Sequence, residues 1–439
     1  MQGEPKKIGP LLAIAVVAST MIGSGIFLLP ASLGAVGSIS ILSWLAAIAG
    51  AMLIAGALCW LIITNPAAGG LFSYVRTAFG PTAGFAAGAL YWASCLIADV
   101  AVALAVTGYL SVFIPLAAHP PGATAVTVIV VWLLVGANIV GPRFVAGLQG
   151  WALTLGLFPV FLAAIGGWFF FRPEIFLASW NVTGQSAITV IPAATVTVFW
   201  AFLGLETAIV LSTRVKNPAR DVPIGTLGGV IIAALIYVAA CAAIMGILPA
   251  AALAKSAAPF ADAFAPVLGA SIAAIVALCA VVKASGTLGS SLLLTVETAQ
   301  CDAVMGQVLP ASAARAAHKA SMPNLIFTGV AASLIAIASE SPTLVRQFTI
   351  VTNVAVILSV IIYGMAALAL LRLSASLAPG RRWAARAVAT GALLFCAALI
   401  ASAEPTLLAW TAAAIAITLA LYASMRVYRV RRAAAAPGL

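Results

Sequence analysis

The chain has 439 residues, of which 64% are hydrophobic and only 7% charged, a balance that no water-soluble globular domain carries. Twenty-one Lys and Arg against ten Asp and Glu give a formal charge of +11. The basic residues sit in short breaks between apolar runs, which argues against nucleic acid as a partner, and the runs leave no room for a water-facing catalytic domain, so the chain reads as an all-α integral membrane protein and not an enzyme.

After a polar segment at residues 1–8, the first span is expected over 9–33. Its middle holds Gly23-Ser24-Gly25, where two glycines and a serine raise the cost of staying helical. Gly-x-Gly also suits close helix packing, so this motif alone leaves a break and a packing site both open. A second span over 38–63 runs into Asn65-Pro66-Ala67-Ala68-Gly69-Gly70, a turn signal that leads to a re-entrant or amphipathic connector with Tyr74 and Arg76. Spans over 82–114, 122–140 and 145–171 follow, the first of them carrying Asp99.

The sixth span, 188–212, contains Trp200-Ala201-Phe202-Leu203-Gly204-Leu205-Glu206, again with a mid-span glycine and now with a carboxylate two residues beyond it. Unwound backbone at membrane depth is tolerated where it lines a cavity. Corresponding breaks in helices one and six therefore indicate two five-helix repeats of inverted topology with a ligand site between them. The first repeat covers 9–171 and the second 188–373, with spans over 223–248, 265–300, 323–339 and 344–373 completing it. Two further spans, 384–402 and 405–427, lie outside the repeats, ahead of a basic tail at 428–439. The expected total is twelve.

With the N-terminus in the cytoplasm, 17 of the 21 basic residues fall on that side, Arg172, Lys255 and Arg346 on the other, and Lys283 within a span. The positive-inside bias thus places both termini in the cytoplasm of a bacterial-type inner membrane. The bias also explains the basic tail as a helix-end anchor at the lipid surface. Six cysteines are scattered one per run, with no metal-ligand spacing, and His119 and His318 stand in opposite loops. No metal, cofactor or phosphate-binding loop is expected. Intramembrane ionisable residues are functional candidates, and three stand out: Asp99, Glu206 and Lys283. Their formal sum of −1 would be neutralised by one cationic substrate group or one proton.

Gly23-Ser24-Gly25-Ile26-Phe27, the Trp200 to Glu206 segment, Gly141-Pro142-Arg143 and the loop Val215-Lys216-Asn217-Pro218-Ala219-Arg220-Asp221-Val222-Pro223 together resemble the amino acid-polyamine-organocation superfamily. Within it the chain is similar to the bacterial basic amino acid and polyamine antiporters, over roughly residues 6 to 430. The resemblance implies that Met21, Ile22, Ser24 and Gly25 bind the substrate's α-amino and carboxylate groups. It implies third-helix contacts at Ser94, Cys95 and Asp99, an aromatic gate at Trp200 with Ala201 and Leu203 beside it, and a coupling acid at Glu206.

Four positions depart from the arginine/agmatine exchangers: Thr20 and Asp99 stand where those have Asn, Ser291 where they have Trp, and Ala355 where they have Ser. The distal pocket is therefore rebuilt. Lys283 replaces an expected small residue, and three readings stay open for it: an ion pair with Asp99, a ligand for a substrate carboxylate, or a group that loses its proton during the cycle. The function expected is alternating-access transport of an amino acid or small amine, as an antiporter or coupled to protons. The alternatives are a proton-coupled uptake permease for neutral or acidic amino acids and, in another class, a substrate-gated channel or sensor. The expected partners are a small-molecule substrate, protons and the lipid bilayer, and a homodimer is one arrangement the resemblance allows.

Overall fold

A computed structural model describes residues 9–65, 70–206, 215–299 and 322–434. Every regular element among them is helical. The N-terminal segment 1–8, residues 207–214 with the end of the sixth expected span at 207–212, and Cys301, Asp302, Arg315, His318 and Lys319 lie outside the described residues.

The first part of the chain forms α1 (Pro10–Met21), α2 (Leu29–Gly34), α3 (Ser40–Thr64), α4 (Leu71–Phe79), α5 (Pro81–Leu110), α6 (Gly122–Val140) and α7 (Pro142–Ala164). The second forms α8 (Ala187–Phe199), α9 (Pro218–Ile247), α10 (Pro259–Leu268), α11 (Ala270–Ala299), α12 (Met322–Ala338), α13 (Leu344–Leu373), α14 (Pro379–Ala401) and α15 (Pro405–Ala434). Eight helical stretches among the described residues are long and apolar enough to cross a membrane, and the shorter apolar helices include α1, α8, α10 and α12.

Proline punctuates the starts. Pro10, Pro81, Pro142, Pro218, Pro259 and Pro379 each open a helix, where the missing N–H is one that no helical carbonyl would reach and φ is already helical. At α9 the Asp221 carboxylate reaches back to accept the Asn217 N–H at 2.9 Å, closing the turn of the Asn-Pro loop. The connector after α3 is the amphipathic α4, with Tyr74 buried and donating to the Asn65 carbonyl at 3.1 Å while Arg76 faces out.

The apolar run expected as one span over 265–300 is divided. Gly269 adopts φ +86°, which only glycine takes without strain, so Pro259–Leu268 forms a separate helix before α11 begins. The first and sixth spans are interrupted where their glycines stand. After α1 ends at Met21, a single 3-10 turn covers Ser24–Ile26 before α2. After α8 ends at Phe199, a 3-10 turn covers Trp200–Phe202, Leu203 is extended and Gly204 has φ +99°.

α5 and α13 are the most buried long helices and pack on each other, while α7 and α14 are the least covered. α11 lies against both α5 and α7, and α1 against α9. Small residues permit these approaches: a Cβ at Gly229 of α9 would stand 2.6 Å from the Val17 Cβ of α1. Leu133, Leu235, Leu278 and Leu394 point outward, as an outer face solvated by hydrocarbon requires.

Candidate substrate site

Interrupting α1 frees backbone groups that need partners. The Met21 carbonyl accepts from the buried Tyr237 hydroxyl of α9 and from the Gly23 N–H, the latter at 2.6 Å. On the far side of the break, the Phe27 carbonyl accepts from the Tyr109 hydroxyl of α5 at 2.9 Å, and that hydroxyl in turn accepts the Phe260 N–H of α10 at 3.3 Å. Phe27, Tyr109 and Phe260 also meet edge to face, with centroids 5.5 and 5.7 Å apart. Two tyrosines from different helices therefore hold the unwound segment in place.

Trp200 covers the break. A Cβ built on Gly25 would lie 2.8 Å from the indole Nε1, so the ring rests on the space that glycine leaves. Its other edge meets Phe348 of α13 in a T-shaped contact at 6.3 Å. The indole N–H is buried without a hydrogen-bond partner among the described residues, and Ala201 beside it is buried while Leu203 is half-buried. Gly25→Ala should push the ring away and weaken substrate binding about tenfold, since overpacking by one methyl costs on the order of 1–3 kcal/mol. A ligand-induced melting shift equal to that of the wild type would return Gly25 to a packing role.

Tyr91, Cys95 and Asp99 stand four residues apart on α5 and so form one stripe along its face. At one end of the stripe, Glu206 accepts from the hydroxyls of Tyr91 at 2.8 Å and Tyr363 of α13 at 2.6 Å. At the other end the fully buried Asp99 accepts from the hydroxyls of Ser291 and Thr295 on α11, the second at 2.7 Å. Ser94, next to the stripe, donates to the Ala355 carbonyl at 3.0 Å and pairs with the Ser359 hydroxyl at 2.7 Å. Each carboxylate, the half-buried Glu206 and the buried Asp99, is thus held by two neutral hydroxyls and by no cation among the described residues.

The structure therefore brings Gly25 to Trp200, Ser94 to Ala355, and Asp99 to Ser291. Met21 and Ile22 are buried at the break, whereas Thr20 is exposed and bonds back to the Val16 carbonyl of its own helix at 2.8 Å. Lys283 does not pair with Asp99. It lies eight residues before Ser291 on α11, about 12 Å along the axis, and among the described residues its ammonium has no ion pair. No cluster of three His, Cys, Asp or Glu side chains able to hold a metal occurs among the described residues.

Comparison with known proteins shows the family of the chain. The amino acid permease family matches residues 8–427. The chain belongs to that family. It is 31% identical over 410 residues to the putrescine transporter PotE of Escherichia coli strain K12, covering 93% of each chain. Similar identity, 31% over 412 residues, links it to PotE of Haemophilus influenzae, with 93% of this chain and 94% of that one covered. It is 36% identical over 289 residues to the cadaverine/lysine antiporter of Escherichia coli strain K12, 66% of this chain and 65% of that one. The permease is therefore a multi-pass membrane transporter of the amino acid-polyamine-organocation type and not an enzyme.

Sequence reasoning did not find Tyr91, Tyr363, Thr295 and Ser359, the hydroxyl partners of the site's polar groups. The signal for Tyr91 was present in its spacing of four and eight residues from Cys95 and Asp99. Thr295 likewise stands four residues after Ser291.

Proposed function

We propose that this permease moves a small amine-bearing substrate, a diamine or a basic amino acid, by alternating access between two inverted five-helix repeats of a twelve-helix fold with both termini in the cytoplasm. The observation that carries the reading is the pair of carboxylates, the half-buried Glu206 and the fully buried Asp99, attached to one stripe of α5 and without a cation among the described residues. A buried anion without a counter-charge is costly, and a substrate ammonium supplies the missing charge at either end.

Tyr91 and Asp99 are eight residues apart, about 12 Å along the helix axis. An extended four- or five-carbon diamine with a charge-assisted hydrogen bond at each end spans roughly 12–13 Å, a comparable length. The names of the relatives point the same way, to putrescine, cadaverine and lysine. Trp200, against Gly25 of the first break, would cover the aliphatic part of such a substrate and face its charge with an aromatic surface. For a basic amino acid, Met21, Ile22, Ser24 and Gly25 at the break would receive the carboxylate.

The test is counterflow in proteoliposomes loaded with putrescine, cadaverine, ornithine or lysine. Labelled putrescine or lysine outside should enter at least about fivefold faster with amine inside than with buffer inside, the kinetic mark of exchange between two states of one site. Acceleration by neutral or acidic amino acids alone would replace this reading with that of an uptake permease. Flux indifferent to the internal substrate would point to a channel.

A further inference from the structure

The transport reading leaves one buried charge unused. Lys283 sits in the middle of α11 at its seam with α7, buried, and among the described residues its ammonium forms neither a hydrogen bond nor an ion pair. The seam is shaped for it. A Cβ on Gly156 of α7 would come within 2.6 Å of the lysine Cγ and Cδ, so the missing side chain at 156 makes the slot that the lysine stem fills.

The groups around the seam are otherwise occupied or remote. On α5, Tyr91 and Asp99 serve the site just described, Tyr109 is bonded to Phe27, and Cys95 lies between the two carboxylate ends. On α10, Asp262 accepts from the Ser256 hydroxyl at 2.5 Å. On α7 the charged residue is Arg143, thirteen residues from Gly156, or about 20 Å along the helix. α6, α12 and the Ser24–Ile26 turn contribute no titratable side chain, and on α11 itself stand Cys279 and Glu297.

One turn of α11 beyond Lys283, the Thr287 methyl is 3.9 Å from where a Cβ on Gly23 would lie, and α11 packs on the Ser24–Ile26 turn. The lysine seam thus adjoins the first-helix break, the segment that the transport reading places at the substrate. Burying an unpaired ammonium costs several kcal/mol and burying an amine far less, so closing and opening this seam changes which form is tolerated.

Resting on the transport reading above, we propose that Lys283 is a proton-carrying site of the cycle. When the α11–α7 seam closes, one N–H bond of the ammonium breaks, its electron pair stays on nitrogen and the proton leaves to water. When the seam opens to the opposite side, the amine takes a proton back from water. Substrate movement is thereby tied to proton movement, through a group separate from the carboxylates that meet the substrate.

The experiment uses the full-length protein in liposomes containing a pH-sensitive dye, with putrescine and lysine as probes. Wild-type protein should move protons when substrate is added, and a pH gradient should drive accumulation. Lys283→Met and Lys283→Arg should keep counterflow within about threefold and lose gradient-driven accumulation at least about tenfold, because neither side chain exchanges a proton at working pH. Wild-type counterflow without proton movement overturns the proposal, as does Lys283→Arg with intact coupling, which would mean that a fixed charge suffices. Should either variant lose counterflow, Gly156→Ala decides, because it crowds the stem and keeps the amine. Gradient-driven accumulation altered at least about threefold supports the proposal and an unchanged value overturns it. Absence of counterflow in the wild type with every probe fails the transport reading itself.

Discussion

Glu206→Gln should lower exchange at least about tenfold while leaving the protein folded. Glutamine keeps the size of the side chain, but its single carbonyl accepts from one of the two phenols, and its amide group presents hydrogen to the other. Both charge-assisted hydrogen bonds become neutral ones, the second with its direction reversed, a combined loss on the order of 1.5–3 kcal/mol. Those bonds join α5, α13 and the segment after α8, so they are made in the arrangement the structure records and are broken if these elements part. A difference of 1.5–3 kcal/mol between two arrangements changes their ratio about 10- to 150-fold. Tyr91→Phe and Tyr363→Phe keep the charge and remove one donor each, and should fall between wild type and Glu206→Gln. Counterflow rates and melting temperatures of the three variants check this. Wild-type exchange in Glu206→Gln would reduce the cluster to packing, and a loss of proton movement per substrate in that variant would shift the proton from Lys283 to Glu206.

What the sequence made legible is what composition and backbone chemistry encode locally. The breaks at Gly23-Ser24-Gly25 and Gly204 were readable because glycine changes the cost of helix at a fixed position, whatever packs around it. Asp99, Glu206 and Lys283 were readable because a charge in an apolar run is costly in any tertiary setting. The break at Gly269 was hidden, since hydropathy stays high across 265–300 and carries no record of φ. Tyr91 and Tyr363 were hidden for a different reason. A tyrosine in a span fits core, interface or site equally well, and only the approach of the segment after α8 to α5 and α13 selects among them.

The pairing of Lys283 is the sharpest case. The helices that carry Asp99 and Lys283, α5 and α11, do pack on each other. Which turn of α11 faces Asp99 depends on the stagger of the two helices, and that is set by contacts spread over their whole length. The stagger places Ser291 and Thr295 opposite the carboxylate, leaving Lys283 two and three turns away against α7.

That register yields the second large effect. On the proposed reading, in which Asp99 meets a substrate ammonium, Asp99→Ala should reduce uptake of putrescine and lysine at least about tenfold, because the loss of that buried charge removes about 1.5–3 kcal/mol of interaction. Stability should fall far less, on the order of 1–2 kcal/mol. The freed Ser291 and Thr295 hydroxyls have carbonyls one turn back on their own helix to fall back on, as Ser290 bonds to Gly286, Thr287 to Lys283 and Thr298 to Leu294 in the same helix at 3.0, 3.0 and 2.8 Å. Because Asp99 and Lys283 bond no common partner and are separated by about 12 Å or more of helix, the melting losses of Asp99→Ala and Lys283→Met should add to within about 0.5 kcal/mol in the double variant. A coupling above about 1 kcal/mol would restore the ion pair that the structure does not form, and undiminished amine uptake in Asp99→Ala would take this carboxylate out of the substrate site, leaving Glu206 to meet a single cationic group.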